Sequence, residues 1–137
     1  MPTFTDTNEL NGVMQELWQS IKEDPEMSKQ LLASGLIVCF HYREPEGRIV
    51  IDCSDGKELR ISVGETDRKP IVEMFMKSDI AHDFWLGKIN VPLAIISGKI
   101  VSKGPVNKAL ALLPAVKPAY AIYPNIYESV KKKSIAL

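Results

Sequence analysis

The feature that most constrains this chain is the stretch from Phe84 to Leu113, which is rich in apolar side chains and contains no His, Cys, Asp or Glu. It runs from an apolar turn closed by Gly87 through a mostly apolar segment into a glycine-marked strand, and then into an Ala/Leu helix. Acid–base and nucleophilic chemistry uses His, Cys, Asp and Glu most often, and the Ser and Lys residues of this stretch have none of these side chains beside them in sequence to activate them. It therefore favours burial of an apolar molecule over catalysis of a reaction.

The charge balance argues against nucleic acid as a partner. Seventeen Lys plus Arg residues match seventeen Asp plus Glu residues, whereas nucleic-acid binding needs a basic surplus gathered on one face. The one basic cluster, Lys131 to Lys133, is best interpreted as a solvated helix end, where cations meet the negative pole of the helix dipole. Transient contact with an anionic membrane is the less favoured alternative.

The length of 137 residues predicts a single domain spanning 1–137. Asp6, Asn8 and Glu9 stand where a signal peptide would have basic residues followed by an apolar run. No segment approaches the ~18 uninterrupted apolar residues of a membrane span. We therefore expect a cytoplasmic protein.

The first part of the chain, residues 8–34, shows the spacing of apolar residues that is typical of helices. Apolar residues recur every three or four positions over 8–22, with Thr7 or Asn8 as the expected cap, and this pattern predicts an amphipathic helix. Asp24 followed by Pro25 begins a second helix over 25–34, and Gly35 ends it.

From residue 36 onwards, the spacing of the apolar residues changes to the alternation that is typical of strands. Residues 36–42, 48–53 and 59–63 are β-branched, aromatic or alternating, and Gly-containing turns separate them. A fourth strand is predicted over 70–77 and a fifth over 97–103, with short helices between them. Two more helices are expected after Gly104, the last kinked or restarted near Pro124. This order predicts an α+β fold with an antiparallel or mixed sheet and helices gathered on one side.

The titratable residues form no recognisable motif. His41 and His82 have no thiol, hydroxyl or carboxylate at the spacing of a nucleophilic or metal site, so a satisfied structural role is favoured for both. Cys39 and Cys53 lie in strand-like runs and are expected to be buried thiols. We expect no catalytic residue, no metal and no cofactor.

More than half of the chain, from about Leu36 to Leu113, resembles the sterol carrier protein type 2 domain. The resemblance is carried by short motifs in a fixed order: Ile49-Val50-Ile51-Asp52 before Ser54-Asp55-Gly56, then Ser78-Asp79, Gly87-Lys88, Ala94, Gly98-Lys99 and Gly104. It implies a five-stranded sheet whose helices enclose an apolar tunnel, without catalytic residues. Its implied ligand is a fatty acid, a fatty acyl derivative or a sterol-like molecule. Which lipid binds is not implied, because specificity depends on the shape of the pocket.

Two features depart from the family pattern. Ser102 stands where the family usually has an apolar residue, which would polarise one end of the cavity. The proline-punctuated tail 114–137 has no close parallel in the family core, and we interpret it as a C-terminal helical extension that forms a lid or a dimer contact.

Strand alternation and helical spacing predict which side chains contact the lipid. These residues should form one apolar layer, in which Gly98 leaves space that a side chain would otherwise fill: Leu17, Trp18, Ile51, Ile61, Met74, Met76, Phe84, Trp85, Gly98 and Ile100.

Two other functions remain open at this point. Tyr120, Tyr123 and Tyr127 recur at helical spacing in the tail, which suits an interaction module with a filled core that assembles, for example as a homodimer, through this helix. An enzyme ranks third, because no His or Cys is paired with carboxylates at motif spacing.

Overall fold

The computed structural model describes residues 3–64 and 69–136 of the chain. Two helices come first, α1 (Thr7–Glu23) and α2 (Pro25–Ser34), followed by the strands β1 (Ile37–Arg43), β2 (Gly47–Asp52), β3 (Arg60–Val63) and β4 (Val72–Lys77). Then come α3 (Ser78–Trp85), α4 (Val91–Ile96), β5 (Ile100–Lys103), α5 (Val106–Leu110) and α6 (Leu113–Val116). A 3₁₀ segment, Lys117–Ala121, leads into α7 (Tyr123–Ala136).

The five strands form one mixed sheet in the order β3-β2-β1-β4-β5. Only the central pair, β1 and β4, is parallel, and the other neighbouring pairs are antiparallel. The connection from β3 back to β4 crosses to the far side of β1, which places the two edge strands at opposite ends of the sheet. The predicted five-stranded α+β fold is confirmed.

Local chemistry explains where the first helices begin. The Asp6 carboxylate, and not Thr7 or Asn8, caps α1 by accepting a hydrogen bond from the Glu9 N–H at 2.9 Å. Asp24 caps α2 in the same way through the Met27 N–H at 3.0 Å, with Pro25 at the first helical position. An acidic side chain at this place satisfies one of the unpaired N–H groups of the first turn.

Proline divides the end of the chain more often than the sequence predicts. The helix expected after Gly104 is split into α5 and α6, and Pro114 lies in the first turn of the second piece. Pro118 lies likewise near the start of the 3₁₀ segment, and α7 starts at Tyr123, beside Pro124. Proline has no N–H and fits the first turn of a helix, so each one begins a new segment.

The core lies between the helices and one face of the sheet. That face carries alternate residues of each strand, including Val38 on β1, Ile51 on β2 and Met74 on β4, all buried. The opposite face carries His41 and Glu73, which are partly exposed. The helical layer therefore covers one side of the sheet.

Candidate functional site

A cavity of about 90 Å³ lies between the covered face of the sheet and the helices. All strands except β3 contribute side chains to its floor, and these residues are Val38, Phe40, Tyr42, Ile51, Met74, Met76 and Ile100, with Cys53 just after β2. Met74 and Met76 alternate on β4 with half-buried Phe75, so that the β4 side chains in the floor are both methionines. Methionine adapts its shape easily, which suits an irregular or variable occupant.

Helices from both halves of the chain form the roof. The lining side chains are Trp18 of α1, Leu31 of α2, Ala81, Phe84 and Trp85 of α3, Val91 of α4, and Ala109, Leu110, Leu112, Leu113 and Val116 from the region of α5 and α6. The last group consists of short helices, and α5 has no fully buried residue. Within this part of the roof, α5 is consequently less firmly packed than α6, where Ala115 and Val116 are buried.

The wall of the cavity carries no charge. No Asp, Glu, Lys, Arg or His is among the lining side chains that the structure describes. Burial raises the pKa of the Cys53 thiol to about 11, with a further contribution from the nearby Asp52 carboxylate. Burial also raises the pKa of the Tyr42 phenol. Both groups are therefore neutral at physiological pH.

One polar atom in this wall has no partner. Trp18 is only 4% exposed, and its Nε1 donor meets no acceptor among the described residues. The Trp18 ring packs against Phe40 and Trp85, with centroid distances of 5.9 and 5.7 Å. A buried N–H without an acceptor is costly.

Most of the residues predicted from the sequence come together at the cavity. Seven of them line it: Trp18, Ile51, Met74, Met76, Phe84, Trp85 and Ile100. Leu17 and Ile61 do not. Leu17 is fully buried in the core beneath α1, and Ile61 lies on β3, the edge strand that contributes nothing to the wall.

The structure corrects the position of Gly98. The strand expected from residue 97 begins at Ile100, and Gly98 lies before it in an exposed turn with φ of +80°. A Cβ placed at Gly98 would have nothing within 4 Å. Gly98 therefore leaves no space for a ligand, and it serves the turn because a positive φ suits glycine.

Sequence reasoning missed two continuous parts of the wall, and also the separate lining residues Leu31, Cys53, Ala81 and Val91. Val38, Phe40 and Tyr42 alternate along β1 in the same way as the methionines along β4, so the signal was present in the pattern. The second missed part is the apolar run 109–116, which is almost uniformly apolar and so shows no periodicity that would assign its faces.

A cluster of titratable side chains lies on the face of the sheet opposite the cavity. His41 Nε2 is 3.0 Å from Glu73 Oε1 and 3.3 Å from Cys39 Sγ, while the His41 ring stacks on Phe75. Because carboxylate and thiol meet the same ring nitrogen, His41 cannot relay a proton between them as in a nucleophilic triad. Cys39 is buried, and burial raises the pKa of its thiol despite the hydrogen bond from Arg48. No group of side chains in 3–64 and 69–136 is arranged to hold a metal ion.

The C-terminal tyrosines pack against the rest of the protein, Tyr123 fully buried and Tyr120 and Tyr127 half-buried. Tyr123 is fully buried and its hydroxyl is 2.7 Å from His82 Nδ1. Tyr127 donates to the Thr3 carbonyl at 2.5 Å, and Tyr120 packs edge to face on Phe84. Tyr123 and Tyr127 therefore hold α7 against α3 and against the segment before α1, and Tyr120 packs the 3₁₀ segment on α3.

Comparison with solved structures places this architecture among known folds. The chain is 26% identical to the sterol carrier protein domain 2 of Helicoverpa armigera, with a TM-score of 0.64 over 79% of this chain and 85% of that one. Sterol carrier protein 2 from Yarrowia lipolytica gives 20% identity and a TM-score of 0.62 over 78% and 89% of the two chains. A structure titled UbiJ-SCP2 ubiquinone synthesis protein gives 12% and 0.60 over 79% and 88%.

Sequence comparisons add little to this picture. No protein-family model matches the chain. Among curated proteins, large ribosomal subunit protein uL4 from Erythrobacter litoralis is 25% identical over 114 residues, which are 83% of this chain and 47% of that protein. The chain thus spans about half the length of the curated relative. The balanced charge of the chain does not suit ribosomal RNA.

Proposed function

From its sterol carrier protein 2-like fold we infer that this chain binds a lipid non-covalently and carries it. The observation that supports this function best is the cavity between sheet and helices, whose wall is apolar and uncharged. Its lining contains no carboxylate, imidazole or amine among the described residues, and burial keeps its Cys53 thiol neutral by raising the pKa to about 11, so it offers binding rather than acid–base or nucleophilic chemistry.

The hydrophobic effect is sufficient to drive such binding. Each buried methylene contributes roughly 0.8 kcal/mol, so an acyl chain of about sixteen carbons gains on the order of 12 kcal/mol. Loss of translational and rotational freedom costs at least about 4 kcal/mol. The difference is large enough for useful affinity without any ion pair.

The size of the cavity implies that its wall moves. Pockets for drug-sized ligands measure about 300–1,000 Å³, whereas this cavity measures about 90 Å³. A long lipid therefore requires the roof to shift outward, and α5 is the helix of the roof that has no fully buried residue. The flexible side chains of Met74 and Met76 enlarge the space from the opposite side.

The wall also constrains the polar end of the lipid. An ionised carboxylate cannot be buried where no cation meets it, so a fatty acid must keep its head group at the rim. An uncharged acyl derivative or a sterol-like molecule with one oxygen is more suitable for the interior. The unpartnered Trp18 N–H can then donate to that oxygen.

Lipid uptake is the direct test. The purified protein is mixed with a fluorescent fatty acid, which is then displaced by unlabelled fatty acid, acyl ester or sterol, and native mass spectrometry records any lipid retained from the cells. We expect saturable binding of at least one class. A folded protein that takes up none of them contradicts the proposal.

A pair of alanines separates cavity binding from surface adsorption. Ala109 lines the cavity, whereas Ala111, two residues further, is exposed. Ala109→Phe places a ring in the cavity and should weaken lipid binding at least about tenfold, because several methylenes of the lipid can then no longer be buried there. Ala111→Phe adds the same ring outside and should leave affinity unchanged. Equal effects of both changes would show that the lipid lies elsewhere.

A further inference from the structure

Helix α4 has an unusual composition for its position at the surface. Its six residues, Val91–Ile96, include no polar side chain. Val91 and Ala94 are buried, but Leu93 is 59% exposed and Ile96 is 82% exposed. Positions three apart lie on the same side of a helix, so these two side chains form one apolar patch, here called the α4 patch.

A helix that is apolar on every side is normally covered on every side. In the part of the chain that the structure describes, nothing covers the α4 patch, although the inward side of the helix is part of the cavity wall through Val91. The outer surface of this part of the cavity wall is therefore apolar and accessible, which indicates contact with an external partner.

The charges that flank α4 in the sequence indicate what charge that partner carries. Between Asp83 and Glu128 the sequence contains five lysines and no acidic residue, within a chain whose total charge is balanced. Lys88 and Lys99 flank α4 on either side in sequence, are exposed, and take part in no ion pair among the described residues. The nearest acidic residue before α4, Asp83, meets Lys88 only through its backbone carbonyl.

We propose that the α4 patch docks the protein on an anionic lipid bilayer, with Leu93 and Ile96 entering the headgroup layer and Lys88 and Lys99 facing anionic phosphates. This proposal rests on the proposed function for its purpose, because docking here brings the wall of the cavity to the membrane. Amphipathic surfaces with basic flanks bind membranes through this combination of apolar burial and charge.

A protein partner is less suited to the same surface. Stable protein–protein interfaces bury about 1,200–2,000 Å² in total, and two exposed side chains on a six-residue helix supply only a small part of that area. Reversible membrane contact needs only a few inserted side chains and some lysines. It also suits a carrier that must leave the membrane again.

Vesicle co-sedimentation tests the proposal with matched variants. The full chain is mixed with phosphatidylcholine vesicles that contain or lack phosphatidylserine, at low and at high salt. Binding should require phosphatidylserine and weaken with salt. Ile96→Glu should lower the partition coefficient between vesicle and water at least about tenfold. Its matched control is Ile71→Glu, which should leave the partition coefficient unchanged. Ile71 is also exposed, but it precedes β4 at the end of the β4–β5 pair that is remote from α4. Lys99→Glu should weaken binding, and Lys57→Glu, in the turn at the opposite edge of the sheet, should not.

Several outcomes would overturn the proposal. These are absence of vesicle binding, equal binding with and without phosphatidylserine, equal effects of Ile96→Glu and Ile71→Glu, or a dimer that Ile96→Glu dissociates in the absence of vesicles. Uptake of a fluorescent lipid from solution is measured on the same samples. Uptake without vesicle binding defeats only the docking proposal, whereas vesicle binding without uptake defeats only the lipid-carrier function.

Discussion

Trp18 of α1 and Trp85 of α3 meet edge to face at the wall of the cavity, with ring centroids 5.7 Å apart and an interplanar angle of 87°. They are the only tryptophans in the sequence, and they are 4% and 3% exposed. All tryptophan fluorescence of this protein therefore originates beside the cavity and away from water. The fluorescence of these two tryptophans therefore reports on any molecule that enters the cavity.

A brominated acyl lipid should quench this fluorescence strongly, because bromine quenches only at contact distance. Dissolved iodide should quench it weakly, because both rings are shielded from solvent. Trp18→Phe and Trp85→Phe should each retain quenching of the remaining ring, and the same lipid without bromine serves as the control. Lipid binding without bromine quenching would place the lipid outside this cavity, and strong iodide quenching would contradict the burial of the two rings.

Two glycines should respond very differently to alanine. Gly104 ends β5 with φ of +93°, and an added Cβ would collide with the backbone carbonyl of Ile71. Gly104→Ala should therefore lower the free energy of unfolding by at least about 2 kcal/mol. Gly98→Ala meets open space and should lose only about 1 kcal/mol, from its positive φ. Urea denaturation measures both, and similar losses would contradict this account.

These glycines also show what the sequence could predict. The glycine-marked segment 97–104 correctly indicates a strand, but a strand that begins at residue 97, three residues before β5, places Gly98 wrongly at the cavity. Alternation gives the face of a strand residue only if its start is known, and a turn glycine and a strand glycine look alike in a single sequence.

Alternation predicts the face but not the position along the sheet. Ile51 and Ile61 are opposite each other in the β2–β3 ladder and share a face, yet only Ile51 reaches the cavity. The difference comes from the strand order, because a crossover places β1 and β4 in the centre and leaves β3 at the edge. Leu17 and Trp18 differ for a similar reason, since adjacent helical residues point about 100° apart.

A buried ion pair should contribute to the stability of the fold. Glu9 Oε1 of α1 lies 2.8 Å from Lys131 Nζ of α7, and the two side chains are 1% and 18% exposed. Lys131→Met would leave the Glu9 carboxylate buried without this cation and should lower the free energy of unfolding by about 3 kcal/mol. Urea denaturation measures the loss.

The double variant Glu9→Gln, Lys131→Met should recover part of that loss, because it removes the buried charge as well. The matched surface control is Lys133, which lies 3.4 Å from Glu16 in a pair with side chains 69% and 44% exposed. Lys133→Met should cost at most about 0.5 kcal/mol. A loss as large as that of Lys131→Met would show that the two pairs are equivalent.

His82 should make the stability depend on pH. Burial lowers the pKa of His82 below the ordinary 6.5, despite the opposing charges of Asp83 and Asp79. The unfolded chain therefore binds a proton more readily than the folded one, and the free energy of unfolding should fall as the pH decreases below about 6.5. A protonated imidazole would also have to donate to the buried Tyr123 hydroxyl, 2.7 Å from Nδ1. Urea titrations between pH 5 and 8 should show a shallower pH dependence for His82→Asn than for the natural sequence. Identical slopes would mean that His82 keeps its ordinary pKa and that other groups govern the acid response.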